Sequence, residues 1–385
     1  MNPLFDTVID RTNTHSMKWE KYEGTDILPM WVADMDFKAP PAVLSALQKI
    51  ITHGVLGYTL VPHELDQIVA ARLMSLYSWE VETEWLVWIP GVVSGLNAVC
   101  RAFGSQDQPI VTTTPIYPPF LSVSEHCGKS LHTLPMVTEA ERSTLDFVGL
   151  EQMFQKTKPA VFLFCSPYNP CGTLFTAEEL NRLADLCEEY DVILCSDEIH
   201  SDFVLDRHNC HIPSATVSRH AAARTITLMA PSKTYNIPGL GCSFAVISDP
   251  DLRHRFEAAC KGTLPGVNLM GLAAAKAAYA SCDDWLAQLI AYLRQNRDTV
   301  MEKISQMPGC RLDPIQATFL AWIDITETGL TDPVGFFEQA GVGLSDGRFF
   351  GAPGFVRLNF GCPAVILEKG LHRMETALKN RTRQA

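Results

Sequence analysis

Short apolar runs alternate with amphipathic stretches through the middle of the chain. The apolar runs cover residues 110–111, 160–165, 192–195, 226–230 and 244–247. Between two of them, residues 177–190 show apolar positions at helical spacing, and Thr176 with Glu179 forms the sequence pattern of a capping box before this helix. Runs that are apolar on both faces and separated by helices predict a mostly parallel sheet covered by helices on both sides. The predicted fold class is therefore α/β.

The pattern differs before and after this region. Residues 1–39 are predicted to be irregular, and helices are predicted from Pro40-Pro41, over 64–77 and just after 90–95. The C-terminal part is predicted to contain helices near 273–279 and over 285–303, strands near 319–325 and 356–359, and a closing helix over 363–379.

These elements predict two domains that pack against each other. The larger domain, residues 40–285, holds the mostly parallel sheet sandwiched by helices. Residues 1–39 together with 286–385 form a smaller α+β domain, and the helix over 285–303 links the two. The sequence contains no internal repeat and no Ser/Gly-rich linker that would tether the domains loosely.

Composition and charge exclude several classes of function. The chain has 385 residues, of which 47% are hydrophobic, and its net charge of −12 argues against a nucleic acid or an anionic membrane surface as partner. No apolar run approaches the roughly 20 residues of a membrane span, and the first residues lack the apolar core of an export signal. The 12 cysteines show no C-x-x-C pair and no His/Cys ligand spacing. These features predict a cytoplasmic protein with reduced thiols and no metal site.

Lys233 is the first candidate for chemistry. It follows the apolar run 226–230, inside a stretch rich in Ser, Thr, Asn and Gly. A lysine at the end of a buried strand loses solvation, so its pKa falls and the neutral amine becomes able to form a Schiff base with a carbonyl group. A solvated loop lysine is the alternative, and it is the commoner case for lysines in general.

Asp197 and His200 follow the neighbouring apolar run 192–195. Open α/β sheets bind ligands at the carboxyl ends of their strands. A carboxylate buried there is costly unless it meets a cation, and a protonated pyridine nitrogen is such a cation. The alternative is that Asp197 caps the next helix. His200 either reaches a ring hydroxyl of the same ligand or is a half-buried structural histidine.

Asn169 and Tyr117 follow two further apolar runs. Asn169 begins the turn Asn-Pro-Cys-Gly, where its amide can donate to a phenolate oxygen, although this sequence is also an ordinary turn signal. Tyr117 follows the strand that ends near Thr114. Stacking of its ring on a flat pyridine contributes about 0.5–1.5 kcal/mol beyond burial, and a core tyrosine is the alternative.

Three further positions suit anionic groups. Val92 and Val93 follow Gly91 just before a predicted helix, and free N–H groups at a helix N-terminus bind phosphate. The second glycine of a dinucleotide-binding pattern is missing. Ser232, beside the candidate lysine, adds a hydroxyl group. Arg357 lies inside an apolar strand, where its guanidinium fits either the carboxylate of an amino-acid substrate or an internal salt bridge.

In this order and spacing, the stretches resemble the fold-type I pyridoxal-phosphate enzymes of the class I/II aminotransferase superfamily over nearly the whole chain. Within that superfamily, residues 30–37, 196–200 and 230–237 are similar to the MalY/PatB-type cystathionine β-lyases. The resemblance implies pyridoxal 5′-phosphate as the cofactor, bound in the large domain of a pyridoxal-phosphate-dependent transferase-like fold.

The resemblance also implies a role for each candidate around the cofactor ring. Lys233 holds the cofactor and acts as the base at the substrate Cα. Asp197 pairs with the pyridine nitrogen, Asn169 contacts the ring hydroxyl with His200 beside it, and Tyr117 stacks on the ring.

The remaining candidates are implied to bind the phosphate and the substrate. The backbone at Val92 and Val93 and the hydroxyl of Ser232 hold the phosphate, and Arg357 binds the substrate α-carboxylate. Tyr58 reaches the active site of the neighbouring subunit, so the implied active unit is a homodimer with shared active sites.

Three positions depart from common patterns of the superfamily. Gly241 stands eight residues after the lysine, where many aminotransferases carry an arginine that grips the phosphate, and this favours the lyase group. Cys171 replaces a common threonine, and Tyr168 precedes Asn169 where the lyases usually carry histidine. The tyrosine at position 168 leaves the detailed substrate preference open.

The resemblance implies a carbon–sulfur β-lyase that converts L-cystathionine or a related S-substituted L-cysteine to pyruvate, ammonia and a thiol. Two alternatives stay open. An aminotransferase would share the loss of the Cα proton and would require a 2-oxo acid. A regulatory protein with a bound cofactor would act through protein contacts.

Overall fold

The computed structural model describes residues 3–384, and strands alternate with helices over the middle of the chain as the apolar pattern predicts. The strands are β1 (Leu28–Pro29), β2 (Leu86–Ile89), β3 (Ile110–Thr114), β4 (Leu131–Pro135), β5 (Val137–Glu139), β6 (Arg142–Thr144), β7 (Val161–Cys165), β8 (Ile193–Asp197), β9 (Thr225–Met229), β10 (Ser243–Val246), β11 (Arg311–Leu312), β12 (Leu320–Asp324), β13 (Val342–Gly343), β14 (Ser345–Asp346) and β15 (Phe355–Asn359). The α-helices are α1 (Met17–Glu20), α2 (Pro41–His53), α3 (His63–Tyr77), α4 (Val92–Ala102), α5 (Pro118–Cys127), α6 (Phe147–Thr157), α7 (Ala177–Glu189), α8 (Arg219–Arg224), α9 (Pro231–Thr234), α10 (Pro250–Cys260), α11 (Leu269–Ser281), α12 (Asp283–Ser305), α13 (Pro333–Gln339) and α14 (Ala364–Gln384).

A seven-stranded sheet forms the centre of the larger part of the molecule, in the order β2-β10-β9-β8-β7-β3-β4. Strands β9, β8, β7, β3 and β4 are parallel, whereas β10 runs antiparallel to both β9 and β2. Every residue of β7 and β9 is buried, as expected for central strands whose two faces are covered by helices. The predicted α/β class with a mostly parallel sheet is confirmed.

Local signals explain several helix ends. The capping box before α7 forms as predicted, because the Thr176 hydroxyl accepts from the Glu179 N–H and the Glu179 carboxylate accepts from the Thr176 N–H at 2.8 Å. Helix α2 begins at Pro41 and ends before Gly54, whose φ of 81° lies in the left-handed region that favours glycine.

A second, four-stranded antiparallel sheet has the order β11-β12-β15-β14. Arg357 lies in β15, opposite Trp322 of β12. The N-terminal segment joins the C-terminal part of the chain, because Leu28 of β1 pairs with Val342 of β13. The division into domains of residues 40–285 and of 1–39 with 286–385 stays a prediction, and residues 1–2 and 385 lie outside the described residues.

Several elements were not predicted from the sequence, among them β2, β4, the β5–β6 hairpin, α5 and α6. Residues 1–39 were predicted to be irregular, but they contain α1 and β1. Strand β4 is mostly accessible at the sheet edge and therefore lacks a continuous apolar run. Within residues 3–384, no helix is long and apolar enough to cross a bilayer. Among these described residues, no group of three or more His, Cys, Asp or Glu side chains is arranged to hold a metal ion.

Candidate active site

A cavity of about 230 Å³ opens at the carboxyl ends of β7, β8 and β9. Its wall contains every cofactor- and substrate-binding candidate from the sequence except Tyr58. The lining residues are Val32, Ala33, Gly91, Val92, Val93, Ser94, Tyr117, Cys165, Asn169, Asp197, Ile199, His200, Ser232, Lys233, Pro238 and Arg357. The strand ends, the first turn of α4 and a residue of β15 thus meet around one space, as expected for the carboxyl edge of an open α/β sheet.

Lys233 reaches this cavity from α9, four residues after the end of β9. Its Nζ donates a hydrogen bond to the carbonyl oxygen of Ala33 at 2.6 Å. Burial and the Arg357 charge lower the pKa of Lys233 to about 8, and Asp34 and Asp197 oppose this shift. The amine is therefore closer to its neutral, nucleophilic form near neutral pH than a solvated lysine is.

Asp197 is the last residue of β8, and its carboxylate accepts one backbone hydrogen bond, from the Ile199 N–H at 3.1 Å. Burial raises the pKa of Asp197 to about 7; the Ile199 N–H lowers it, Glu198 raises it and Lys233 lowers it. A turn, rather than a helix, follows Asp197, so the alternative that this residue caps a helix is wrong. Within the described part of the chain, no cation forms an ion pair with this carboxylate, which leaves it available to a cationic ligand group.

His200 is buried at the wall of the cavity, between the rings of Phe203 and Phe319 at centroid distances of 6.0 and 5.9 Å. Burial, Lys233 and Arg357 lower the pKa of His200 to about 3, so the imidazole is neutral. Its Nδ1 has no hydrogen-bond partner among the described residues. An orphaned polar atom in a cavity wall points to a ligand that satisfies it.

Arg357 is buried, and its guanidinium lies 4.7 Å from the ring centroid of Phe350. It donates to the Asn169 side-chain oxygen at 2.9 Å and to the Trp31 carbonyl at 3.0 Å. Its Nε has no partner, and no carboxylate pairs with it in the described structure, so the alternative of an internal salt bridge is wrong. Burial lowers the pKa of Arg357 to about 10. A buried guanidinium that bonds only neutral oxygens suits a carboxylate ligand.

Asn169 lies beside this guanidinium, at the start of the turn 169–171 that follows β7. Because its side-chain oxygen accepts from Arg357, its amide nitrogen is the group that can donate to a ligand in the cavity. Tyr117 lies between β3 and α5 and forms part of the opposite wall. The site thus combines a flat aromatic surface with an amide donor.

The first turn of α4 closes one end of the cavity. Gly91 precedes the helix, no described side chain caps it, and Val92, Val93 and Ser94 line the space. The first N–H groups of a helix have no partner within it and carry a partial positive charge. Together with the Ser232 hydroxyl, they form an end of the cavity that suits an anion.

Tyr58 does not reach this cavity. It lies between α2 and α3, where its side chain is fully exposed, and the neighbouring Val55, Leu56 and Leu60 are also exposed. Within one chain, Tyr58 therefore contacts none of the other candidates.

No place in the site was predicted for the segment 32–37, although residues 30–37 carry part of the family resemblance. Val32 and Ala33 of this segment line the cavity, and the Ala33 carbonyl accepts the Lys233 hydrogen bond. Asn359 holds one end of it, by donating to the carbonyls of Val32 and Asp34 at 2.6 and 2.8 Å. Asn236 holds the other end through hydrogen bonds with the Met35 and Phe37 backbone. The hydrogen-bond partners of this segment lie more than 190 residues away in the chain, so the local sequence pattern does not reveal them.

Known proteins are similar to this chain over nearly its whole length. The family model for aminotransferase class I and II matches residues 25–374. The chain is similar to cystathionine beta-lyase PatB of Bacillus subtilis, with 35% identity over 97% of this chain and 99% of that protein. It is similar to the solved structure of OvoB, with 42% identity, a TM-score of 0.95 and coverage of 97% and 98%. A PLP-bound C–S lyase from Staphylococcus hominis superposes with a TM-score of 0.91 at 30% identity, covering 98% of both chains.

Proposed function

The chain belongs to the aminotransferase class I and II family, and we propose that it is a pyridoxal-phosphate-dependent carbon–sulfur β-lyase. Its substrates are S-substituted L-cysteines such as L-cystathionine, and its products are pyruvate, ammonia and a thiol. The names of two similar proteins, a cystathionine β-lyase and a C–S lyase, support this reaction class. The observation that carries the proposal is one cavity that holds a lysine with a lowered pKa, an unpaired buried carboxylate and an unpaired buried arginine.

The residues present fit pyridoxal 5′-phosphate. The Asp197 carboxylate suits the protonated ring nitrogen, and the unpartnered His200 Nδ1 and the Asn169 amide suit the ring hydroxyl. Tyr117 would lie against the ring. The uncapped start of α4 and the Ser232 hydroxyl suit the phosphate. Position 241 is glycine and supplies no cation at that end, where the N–H groups of the first turn of α4 carry a partial positive charge.

Bound pyridoxal phosphate supplies a carbonyl group for the substrate amine and a protonated ring that accepts the electrons left when Cα loses its proton. Arg357 holds the substrate α-carboxylate through a bidentate ion pair and so fixes the orientation of Cα. The Nζ of Lys233 takes the proton from Cα, since its lowered pKa of about 8 suits a base near neutral pH. Val32 and Ala33 line the cavity beside this lysine, and the Ala33 carbonyl orients its Nζ.

A product assay tests the reaction class. Purified protein is given L-cystathionine with and without a 2-oxo acid, and pyruvate, thiol and visible absorbance are followed. We expect pyruvate and thiol in equal amounts without the 2-oxo acid. A yellow protein that turns over only when the 2-oxo acid is present is an aminotransferase and overturns the lyase proposal. A yellow protein without either activity towards any S-substituted cysteine favours the regulatory alternative.

The same proposal includes a homodimer, with Tyr58 completing the active site of the partner subunit. The Tyr58 side chain is exposed and forms an apolar patch on the loop between α2 and α3, together with the exposed side chains of Val55, Leu56 and Leu60. Contiguous exposed apolar side chains mark interaction surfaces. We propose a second copy of the chain as the partner of this surface, so that Tyr58 of one subunit lies at the cavity of the other.

Mixing two inactive proteins tests the shared site. Tyr58→Ala and Lys233→Ala are each expected to lose most activity. After subunit exchange at equal concentrations, half of the dimers are hybrids with one intact site each, so roughly a quarter of the wild-type specific activity should return. Activity is measured as thiol release before and after exchange, and self-mixed variants serve as controls. If mixing restores nothing although hybrids are detected by mass, Tyr58 does not act across the interface.

A further inference from the structure

Glu198 is a fully buried carboxylate directly next to Asp197. Because side chains alternate along an extended chain, Asp197 faces the cavity whereas Ser196 and Glu198 lie on the other side. There the Glu198 carboxylate accepts from the Ser196 hydroxyl at 2.8 Å and the Ser214 N–H at 2.9 Å, and it meets His211 Nε2 at 2.7 Å. The cavity chemistry described above does not use this cluster.

His211 is also buried, edge-on against Tyr77 at a centroid distance of 5.5 Å. A charge buried as deeply as that of Glu198 is costly unless a cation or several hydrogen-bond donors compensate it. The backbone at this point is fixed as well, since the Glu198 N–H donates to the Leu228 carbonyl at 2.8 Å and the Asp197 carbonyl accepts from Ser166 at 2.9 Å. The two carboxylates are therefore held in a constant relation to each other.

We propose that Glu198 and His211 form a buried ion pair that positions Asp197 and sets the charge at the ring-nitrogen end of the cofactor cavity. This inference rests on the proposed function, because it takes the cofactor ring as the partner of Asp197. Glu198 and His211 are positioning residues, since neither touches the cavity. The imidazolium compensates the Glu198 charge, so that Asp197 alone presents a net negative charge to the ring nitrogen.

Other charged and titratable groups also act on these residues. Around Asp197 they are Lys233 from α9, Tyr117 before α5, and the Cys165 and Cys195 thiols of β7 and β8, while His200 and Arg357 line the same cavity. On the side of Asp197 that faces away from the cavity, the charges of Glu198 and Asp202 raise the pKa of Tyr77 of α3, and Arg72 forms an ion pair with Asp202. None of these residues is substituted in the experiment below, so their titration is common to all variants and differences between variants report on the Glu198–His211 pair.

The two members of the pair should act on Asp197 with opposite signs. The Glu198 charge raises the pKa of Asp197, so Glu198→Gln removes a negative charge and should keep Asp197 ionised to lower pH. His211→Gln keeps a hydrogen-bond donor but removes the compensating positive charge, so Asp197 should become protonated at higher pH. If the substitutions acted only through lost packing, the pH at which Asp197 becomes protonated would shift in the same direction in both variants, or would not shift in either.

The experiment measures the affinity of full-length protein, freed of cofactor, for pyridoxine 5′-phosphate between pH 5 and 9 by fluorescence. This analogue has the ring nitrogen and the phosphate but no carbonyl, so it forms no bond with Lys233. Affinity should fall as the pH drops and Asp197 is protonated. We expect the midpoint to move down by about half a pH unit or more in Glu198→Gln and up by a similar amount in His211→Gln.

Glu179→Gln is the matched control, because Glu179 is likewise a carboxylate with several hydrogen-bond donors, accepting from Arg142 and from the Thr176 N–H, but it is only partly buried and lies outside the cavity wall. Its midpoint should equal that of the wild type. Shifts of both test variants in one direction, or no shift in His211→Gln, overturn the inference. If Glu198→Gln does not fold, the shift of His211→Gln decides alone. A wild-type protein that binds no analogue at any pH instead refutes the cofactor part of the proposed function.

Discussion

Replacing Lys233 with alanine should reduce thiol release from L-cystathionine by about 10⁴-fold or more. Lys233 has two tasks, since its amine binds the cofactor carbonyl and its Nζ removes the proton from Cα. Burial lowers its pKa to about 8, and the described cavity wall contains no second lysine that would replace it. The visible absorbance of the protein should change with the loss of the covalent link, while phosphate contacts at α4 still retain part of the cofactor.

Two controls separate this effect from misfolding. Lys276→Ala removes a half-exposed lysine that pairs with Glu64 on the surface, and its activity should stay within about twofold of the wild type. Far-ultraviolet circular dichroism should be the same for both variants. A small primary amine added to Lys233→Ala should restore part of the activity, because it can occupy the vacated space and accept the Cα proton. An alanine variant that keeps more than a tenth of the wild-type rate contradicts both roles of Lys233.

The central strands could be predicted from the sequence because parallel strands buried on both faces consist of continuous apolar runs. The β5–β6 hairpin could not, since Ala140 and Glu141 take positive φ angles of 47° and 63° at its turn. Hairpins with positive φ angles at the turn are recognised in a sequence by Asn-Gly or Gly-Gly, and this turn contains neither asparagine nor glycine. Helix α5 was missed because two prolines open it, although proline is acceptable in a first helical turn.

The candidate site was predictable to the extent that its residues follow strands of the sheet. Asp197 and Lys233 lie soon after apolar runs whose carboxyl ends meet at one edge, so their proximity follows from the fold class. Arg357 belongs to the other sheet, and its place in the wall depends on the packing of the two sheets, which local pattern does not determine. Glu198 was overlooked for a related reason, since its partner His211 lies in an irregular loop.

Replacing Asp197 with asparagine should lower kcat on L-cystathionine by about 10²–10³-fold, with a much smaller change in KM. Asparagine keeps the volume of the side chain but removes the charge that holds the ring nitrogen protonated, so the ring accepts electrons from Cα less readily. KM should change little because Arg357 binds the substrate carboxylate independently of Asp197. The control Asp146→Asn changes a carboxylate that accepts from the Gly149 N–H at the start of α6, and it should not alter kcat.

A cofactor analogue distinguishes the electrostatic role of Asp197 from a packing role. Pyridoxal phosphate methylated at the ring nitrogen is permanently positive, and Asp197→Ala leaves room for the methyl group. With the methylated cofactor, Asp197→Ala should turn over about tenfold faster or more than the same variant with the natural cofactor. The reason is that the positive charge of the ring no longer depends on a carboxylate. The wild type should lose activity with the analogue, since the methyl group meets the buried Asp197 side chain. If Asp197→Asn keeps a kcat within twofold of the wild type, protonation of the ring nitrogen does not depend on Asp197. The proposed effect of Glu198 and His211 on the reaction, which acts through Asp197, is then contradicted as well.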